Sequence, residues 1–121
     1  MNKETCKQLK YFSWSEIVDH SVNPFNIKFP LMKRLDQLRT ELGKPIILLH
    51  LDTGRHVPRS YHYKGMAADV KIKGVPKNKI LQKAIDVGFR GIGVYSTFWH
   101  FDVRDKCALW TRKDGIYKGI I

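Results

Sequence analysis

His62 and Asp69 stand seven residues apart, with Gly65, Ala67 and Ala68 between them, and a further imidazole, His100, follows thirty-one residues later. If these three groups act together, the chain must bring a distant segment back beside Ser60–Asp69. Two imidazoles and one carboxylate are the ligand count of a catalytic zinc site that keeps one position open for water. Gly65 allows a tight turn between the first two groups, because glycine takes positive φ at little cost. Ala67 and Ala68 are small enough for close packing beside an ion. From Asp69 the alternation Val70, Lys71, Ile72 predicts a strand, a rigid mount for a ligand.

The rest of the chain supplies the frame. Ser13 and Glu16 have the spacing of a capping box, which predicts a short helix to about His20, closed by Asn23-Pro24. Pro30 suits a helix's first turn. Leu31, Leu35, Leu38 and Leu42 then form one apolar stripe, with Lys33, Arg34, Arg39 and Glu41 outward and Gly43 and Pro45 marking the end. Ile46-Ile47-Leu48-Leu49 is too short for a helix and predicts a strand buried on both faces. His50 to Arg59, polar and containing Gly54 and Pro58, reads as a loop. Lys73-Gly74-Val75 makes a turn, and Pro76 opens a second helix with Ile80, Leu81, Ala84, Ile85 and Val87 apolar, ending at Gly88. The glycine-punctuated stretch Phe89–Gly93 leads into Val94-Tyr95. In a strand around His100, alternation puts His100, Asp102 and Arg104 on one face and Trp99, Phe101 and Val103 on the other. Asp105–Ile121, a basic tail with Trp110 and Tyr117, receives no element. Residues 1–121 read as one domain.

Ser60-x-His62-x-x-Gly65-x-Ala67-x-Asp69, followed by Gly91-Ile92-Gly93-Val94-Tyr95 and His100-Phe101-Asp102-Val103-Arg104, resembles the zinc D-alanyl-D-alanine carboxypeptidase family of peptidoglycan peptidases. The likeness runs roughly from Pro45 to Trp110. It implies a small α+β domain of the hedgehog/DD-peptidase type, with a small antiparallel sheet packed against helices. It also implies one zinc ion held by His62, Asp69 and His100, and hydrolysis of a stem-peptide or cross-bridge amide by metal-activated water, of D,D-carboxypeptidase or endopeptidase type. In that family a loop at the mouth of the site carries a small hydroxyl residue, a glycine and an arginine, a pattern that Thr53-Gly54-Arg55 fits. Arg55 would then grip a substrate carboxylate through its two-point donor fork; a solvated loop arginine is the plainer alternative. Many relatives place an acid three residues before the last ligand, where this chain has Thr97, and others a histidine two before it, where it has Phe98. Asp102 is the remaining candidate, either as general base or as a carboxylate that orients a ligand imidazole.

Charge narrows the partners. Twenty-two Lys+Arg against 11 Asp+Glu leave +11, which favours a polyanion: nucleic acid, anionic membrane, or a cell wall bearing carboxylates and phosphodiesters. No nucleic-acid recognition motif is present, and no run approaches the roughly 18 apolar residues of a membrane span. The 43% hydrophobic content argues against wholesale disorder. Cys6 and Cys107 form no metal-type pair and read as reduced thiols. The first residues lack a signal peptide's apolar stretch, so the expectation is a monomer made in the cytoplasm that reaches peptidoglycan after release or delivery, as bacteriophage and prophage members of the resembling family do. His20, His50 and His56 are expected to be structural, although His56 lies on the loop beside the proposed cleft. Ser60 is expected to hydrogen-bond within its own loop, since no base is placed to make it a nucleophile. Tyr61, Tyr63 and Tyr95 either line the cleft or pack. The alternative function is a catalytically inactive, metal-containing wall-binding or virion structural module; hedgehog signalling domains, which resemble this fold, use the scaffold for binding.

Overall fold

The structure, a computed structural model, describes residues 1–113 and 116–119. Its elements are α1 (Lys3–Cys6), α2 (Trp14–Asp19), a 3-10 turn (Pro24–Asn26), α3 (Phe29–Leu42), β1 (Ile46–His50), β2 (Ala67–Ile72), α4 (Lys77–Asp86), β3 (Gly91–Tyr95), β4 (Trp99–Asp102), β5 (Ala108–Lys113) and β6 (Ile116–Gly119). The strands form one sheet in the order β1-β2-β4-β3-β5-β6. Every pairing is antiparallel except β3 with β5, so the α+β class holds with one parallel pair in the sheet.

Local chemistry accounts for the helix ends. Ser13 Oγ accepts the Glu16 N–H at 3.1 Å and so caps α2, without a return bond from the Glu16 carboxylate. Pro30 lies in the first turn of α3, where a missing N–H costs nothing. Leu31, Leu35, Leu38 and Leu42 are all buried, and Gly43 ends the helix at φ 64°, where glycine avoids the penalty of a side chain.

Alternation then divides the sheet into two faces. Ile46 and Leu48 of β1, Ala68 and Val70 of β2, Ile92 of β3, and Trp99 and Phe101 of β4 point into a core shared with α3 and with Ile80 and Ala84 of α4. Phe101 is fully buried, its ring 4.9 Å from that of Phe89 and 5.7 Å from that of Trp99. Each such side chain contributes about 1.5–3 kcal/mol on burial. The helices therefore cover one face, and the opposite face is left for chemistry.

One expectation needs correction, and one gap is filled. The β1 run is buried on one face only: β1 ends the sheet, and Ile47 on the uncovered face is 46% exposed. The tail, to which the sequence assigned no element, supplies two strands, β5 beside β3 and β6 beside β5. Residues 114–115 and 120–121 of that tail lie outside the described residues.

Buried carboxylates tie down the segments that lead to the open face. Asp36 of α3 accepts the N–H groups of Lys10 and Tyr11 at 2.8 and 2.9 Å. Asp52 accepts those of Val22 and Asn23 at 2.6 and 3.1 Å, which fixes the chain just after β1. Gly65 has φ 69°, and a Cβ there would fall 2.1 Å from the Asn26 carbonyl oxygen, so both the turn and the close approach demand glycine.

Candidate metal centre

Strand register places the site residues in rows. Asp69, His100, Gly93 and Trp110 oppose one another across β2, β4, β3 and β5, and Ala67, Asp102, Gly91 and Ala108 form the adjacent row. Directly opposed residues share a face, so both rows lie on the side away from the helices. The two glycines are what let the larger groups sit there. A Cβ on Gly91 would fall 2.1–2.3 Å from the Asp102 carboxylate, and one on Gly93 would fall 2.5 Å from the Trp110 indole nitrogen. Strand propensity alone favours Gly91→Ala by about 0.5–1 kcal/mol. The clash with a buried, doubly held carboxylate outweighs that gain, so the substitution is expected to destabilise by about 2–3 kcal/mol net, read as a lower denaturant midpoint.

Three polar atoms converge over the first row. His62 Nε2 lies 3.2 Å from Asp69 Oδ1, His100 Nδ1 lies 3.4 Å from the same oxygen, and the two ring nitrogens are 3.2 Å apart. An ion bound tetrahedrally with bonds of about 2.0–2.1 Å holds its donors about 3.3–3.4 Å apart, so the triangle has the size of one face of such a site. All three residues are buried, with 2%, 6% and 8% exposure for His62, Asp69 and His100.

The outer nitrogens fix the tautomers. His62 Nδ1 donates to the Leu51 carbonyl at 2.6 Å, and His100 Nε2 donates to Asp102 Oδ2 at 2.7 Å. In neutral rings the inner nitrogens then carry lone pairs, and both aim at a carboxylate oxygen. Three acceptors facing one point repel unless a cation or a proton lies between them, so the donor set fits a metal ion in both chemistry and size.

Without an ion, protons on the inner nitrogens take that place. Burial pushes the Asp69 carboxyl up, but hydrogen bonds from His100 and His62 outweigh it and hold the group well below the usual carboxylate range. Burial pushes His100 down, and the Asp102 and Asp69 carboxylates reverse this, so its pKa lies above the ordinary value. Asp102, fully buried, is likewise pushed up by burial and pulled down further by His100 and Arg104, to about 2. Its folded pKa lies below the unfolded one. Its stabilisation is therefore present above about pH 4 and lost as pH falls through about 2. Metal-free protein is expected to lose about 2 kcal/mol from this group across that window, measurable by denaturant unfolding at stepped pH.

A family model for Peptidase M15 matches residues 6–102. The chain belongs to the peptidase M15 family. The matched segment runs from α1 to the last residue of β4 and takes in His62, Asp69, His100 and Asp102, while β5 and β6 follow it. M15 peptidases are zinc-dependent, and membership indicates a zinc metallopeptidase acting on peptidoglycan peptides. No curated protein and no solved structure matches the chain.

Around the M15 site opens a cleft of about 700 Å³. Asp69 is its one lining carboxylate among the described residues, whereas Arg55, Arg59 and Arg104 all contribute to its walls. Arg55 is exposed on the loop after β1, at the rim of the cleft. Tyr61 and Tyr95 line the cleft; Tyr63 lies outside it, its hydroxyl donating to the His56 carbonyl at 3.1 Å and accepting the His56 N–H at 2.9 Å. Ser60 Oγ accepts the His62 N–H at 3.2 Å and so braces the motif loop.

Asp102 does not line the cleft. It is wholly buried behind His100, and its carboxylate also accepts Arg104 Nε and Nη2 at 2.8 and 2.6 Å. The Arg104 guanidinium lies 4.5 Å from the Tyr61 ring centroid and 5.0 Å from that of Trp110, which holds it in place by cation–π attraction. Bonds of this kind suit a carboxylate that orients an imidazole. A base acting on water in the cleft would need an exposed oxygen there.

Three contributors have no assigned role in the sequence reading, although it places His56 on the loop beside the cleft. His56 stacks on His62 with ring centroids 3.8 Å apart and planes 8° from parallel, while its Nε2 donates to the Thr53 carbonyl. One of its nitrogens comes within 4.8 Å of donor atoms on His62 and Asp69, which makes His56 a second possible partner for an ion. Parallel stacked rings direct their in-plane lone pairs side by side, however, so the His62–Asp69–His100 triangle is the tighter and better aimed set. Trp110 packs 5.0 Å from the His100 ring and donates to the Tyr95 hydroxyl at 3.0 Å. The third is the Leu51 carbonyl, which holds the His62 ring.

Proposed function

We propose that this M15 chain is a peptidoglycan peptidase that hydrolyses a stem-peptide or cross-bridge amide, of D,D-carboxypeptidase or endopeptidase type, with His62 Nε2, Asp69 Oδ1 and His100 Nδ1 as its zinc ligands. The observation that supports this reading is the 3.2–3.4 Å triangle of those atoms, with the outer nitrogens of both rings held by the Leu51 carbonyl and Asp102. Bound there, zinc supplies Lewis acidity that polarises a carbonyl and lowers the pKa of a water toward about 7. The chain's own residues do the rest. Leu51 and Asp102 hold the two imidazoles in the tautomers that leave their inner nitrogens free. Arg104 neutralises Asp102 and so keeps its charge tolerable in a buried place. Arg55, which lines the cleft, receives a substrate carboxylate in this reading. Tyr61, Phe98 and Trp110 give apolar walls that limit water around the scissile bond.

The net charge of +11 supports attraction to an anionic wall, an effect that salt weakens. It suits a monomeric phage- or prophage-type lytic enzyme, made in the cytoplasm and delivered to the wall. The test is to incubate zinc-loaded protein with purified peptidoglycan and identify released fragments by mass, with and without a chelator. Peptide fragments that vanish with chelator and return with added zinc are the expected result. One observation favours a second reading: among the described residues, no carboxylate besides Asp69 lines the cleft as a base. A zinc-loaded wild type that sediments with walls of several compositions and cleaves none would establish a metal-containing wall-binding or virion structural module instead.

A further inference from the structure

The open face of the sheet does not stop at the proposed zinc ligands. Lys71 follows Asp69 by two residues in β2 and is exposed. Two residues of strand advance about 7 Å and return the side chain to the same face. Its register partner in β1 is Ile47, exposed on that face, and Leu49, two residues further along β1, lines the cleft. Continuing the pairing of Val70 with Trp99 by one residue brings Lys71 opposite Phe98. Phe98 lines the cleft and stacks on Tyr95 with ring centroids 4.4 Å apart. Extended in this way, the register gives a second row, Ile47–Lys71–Phe98, on the same face just beyond the cleft lining, with Lys71 flanked by two apolar residues. Among the described residues Lys71 forms no ion pair, and the walls around the ligand row are cationic apart from Asp69.

An extended peptide laid along β2 has the same two-residue repeat as the strand beneath it. With its scissile amide over the Asp69–His100 row, its side chain two positions away falls on the Lys71 row. Resting on the peptidase reading above, we infer that Lys71, flanked by Ile47 and Phe98, is a specificity-determining residue that selects a substrate carrying a carboxylate two residues from the cleaved amide. The charge complementarity is direct: an ammonium on a face whose one cleft-lining acid, among the described residues, is Asp69 in the ligand row. Ile47 and Phe98 cover the aliphatic stem of the bound residue.

The test uses zinc-loaded protein and two synthetic stem pentapeptides, identical except that the side-chain carboxyls are free in one and amidated in the other. Affinity is measured by NMR titration at low ionic strength, and kcat/KM by product release. Lys71→Glu is expected to weaken binding of the acidic peptide, and its kcat/KM, about tenfold, and to change the amidated peptide less than about twofold. Lys71→Arg should stay near wild type, zinc stoichiometry should be unaltered, and the acid preference should shrink with added salt. Equal losses on both peptides, no loss on the acidic one, or a wild type that binds neither or does not discriminate would overturn the inference. The titration needs no turnover. A protein that selects the acid through Lys71 yet cleaves nothing would sink the peptidase reading alone, and one that cleaves both peptides equally would sink this inference alone.

Discussion

Asp69→Ala is expected to remove bound zinc and to lower peptidoglycan hydrolysis at least about 10³-fold, while far-ultraviolet circular dichroism stays that of the wild type. Asp69 Oδ1 is the shared vertex of the triangle, 3.2 Å from one imidazole and 3.4 Å from the other. It is also the group that brings negative charge to the donor set. Losing it leaves two neutral nitrogens, a pair that holds a divalent ion poorly. The rate estimate follows from the several kcal/mol that a metal contributes to such a transition state, at about 1.4 kcal/mol per tenfold. Backbone pairing of β2 with its neighbours does not depend on the carboxylate, so the fold should persist. Zinc measured by atomic absorption, in parallel with hydrolysis, decides the matter: full zinc occupancy in Asp69→Ala would show that the ion is held elsewhere.

Asp102→Asn carries the second large effect, and the two roles open to this residue predict different outcomes. As the carboxylate that orients His100, Asp102 acts through ligand geometry, so the variant should bind zinc about 10–100-fold more weakly, with hydrolysis recovering as zinc is raised. As a general base, it would leave zinc affinity unchanged and lower kcat at saturating metal. The geometry favours the first. The carboxylate is fully buried, accepts His100 Nε2–H at 2.7 Å and takes two donors from Arg104. An asparagine amide would turn an N–H toward either His100 or Arg104 and lose one of those partners. A chelator competition curve for each protein separates the cases.

The Ser60–Asp69 segment was legible because its constraints are local. A turn that needs positive φ, two small residues and a following alternation can all be read from neighbours in the sequence. The facing of His100 and Asp102 was legible for the same reason, since it rests only on the period of a strand. β1 was misread because Ile-Ile-Leu-Leu shows no alternation, and composition cannot say that one face of it lies at the open edge of a sheet. β5 escaped notice because its partner, β3, lies across an intervening hairpin, and a parallel pairing of that kind leaves no local mark. The Leu51 carbonyl is a backbone group and has no residue signature at all. The position of His56 beside the cleft was legible from its loop, but its stacking on His62 was not, since spacing does not encode it. The two roles open to Asp102 differ in the exposure they require, and burial is a property of the assembled sheet.

Asp69 and His100 are direct partners in the antiparallel pairing of β2 with β4. An ion bridging them would therefore act as a cross-strand clip at the middle of the sheet, closing a chain loop of about thirty residues in the way that a covalent staple does. Loading the site would then do more than equip it for hydrolysis. It would bind native protein and not the unfolded chain, adding stability by mass action, and amide hydrogens near the β2–β4 seam would exchange more slowly than those of the outer strands.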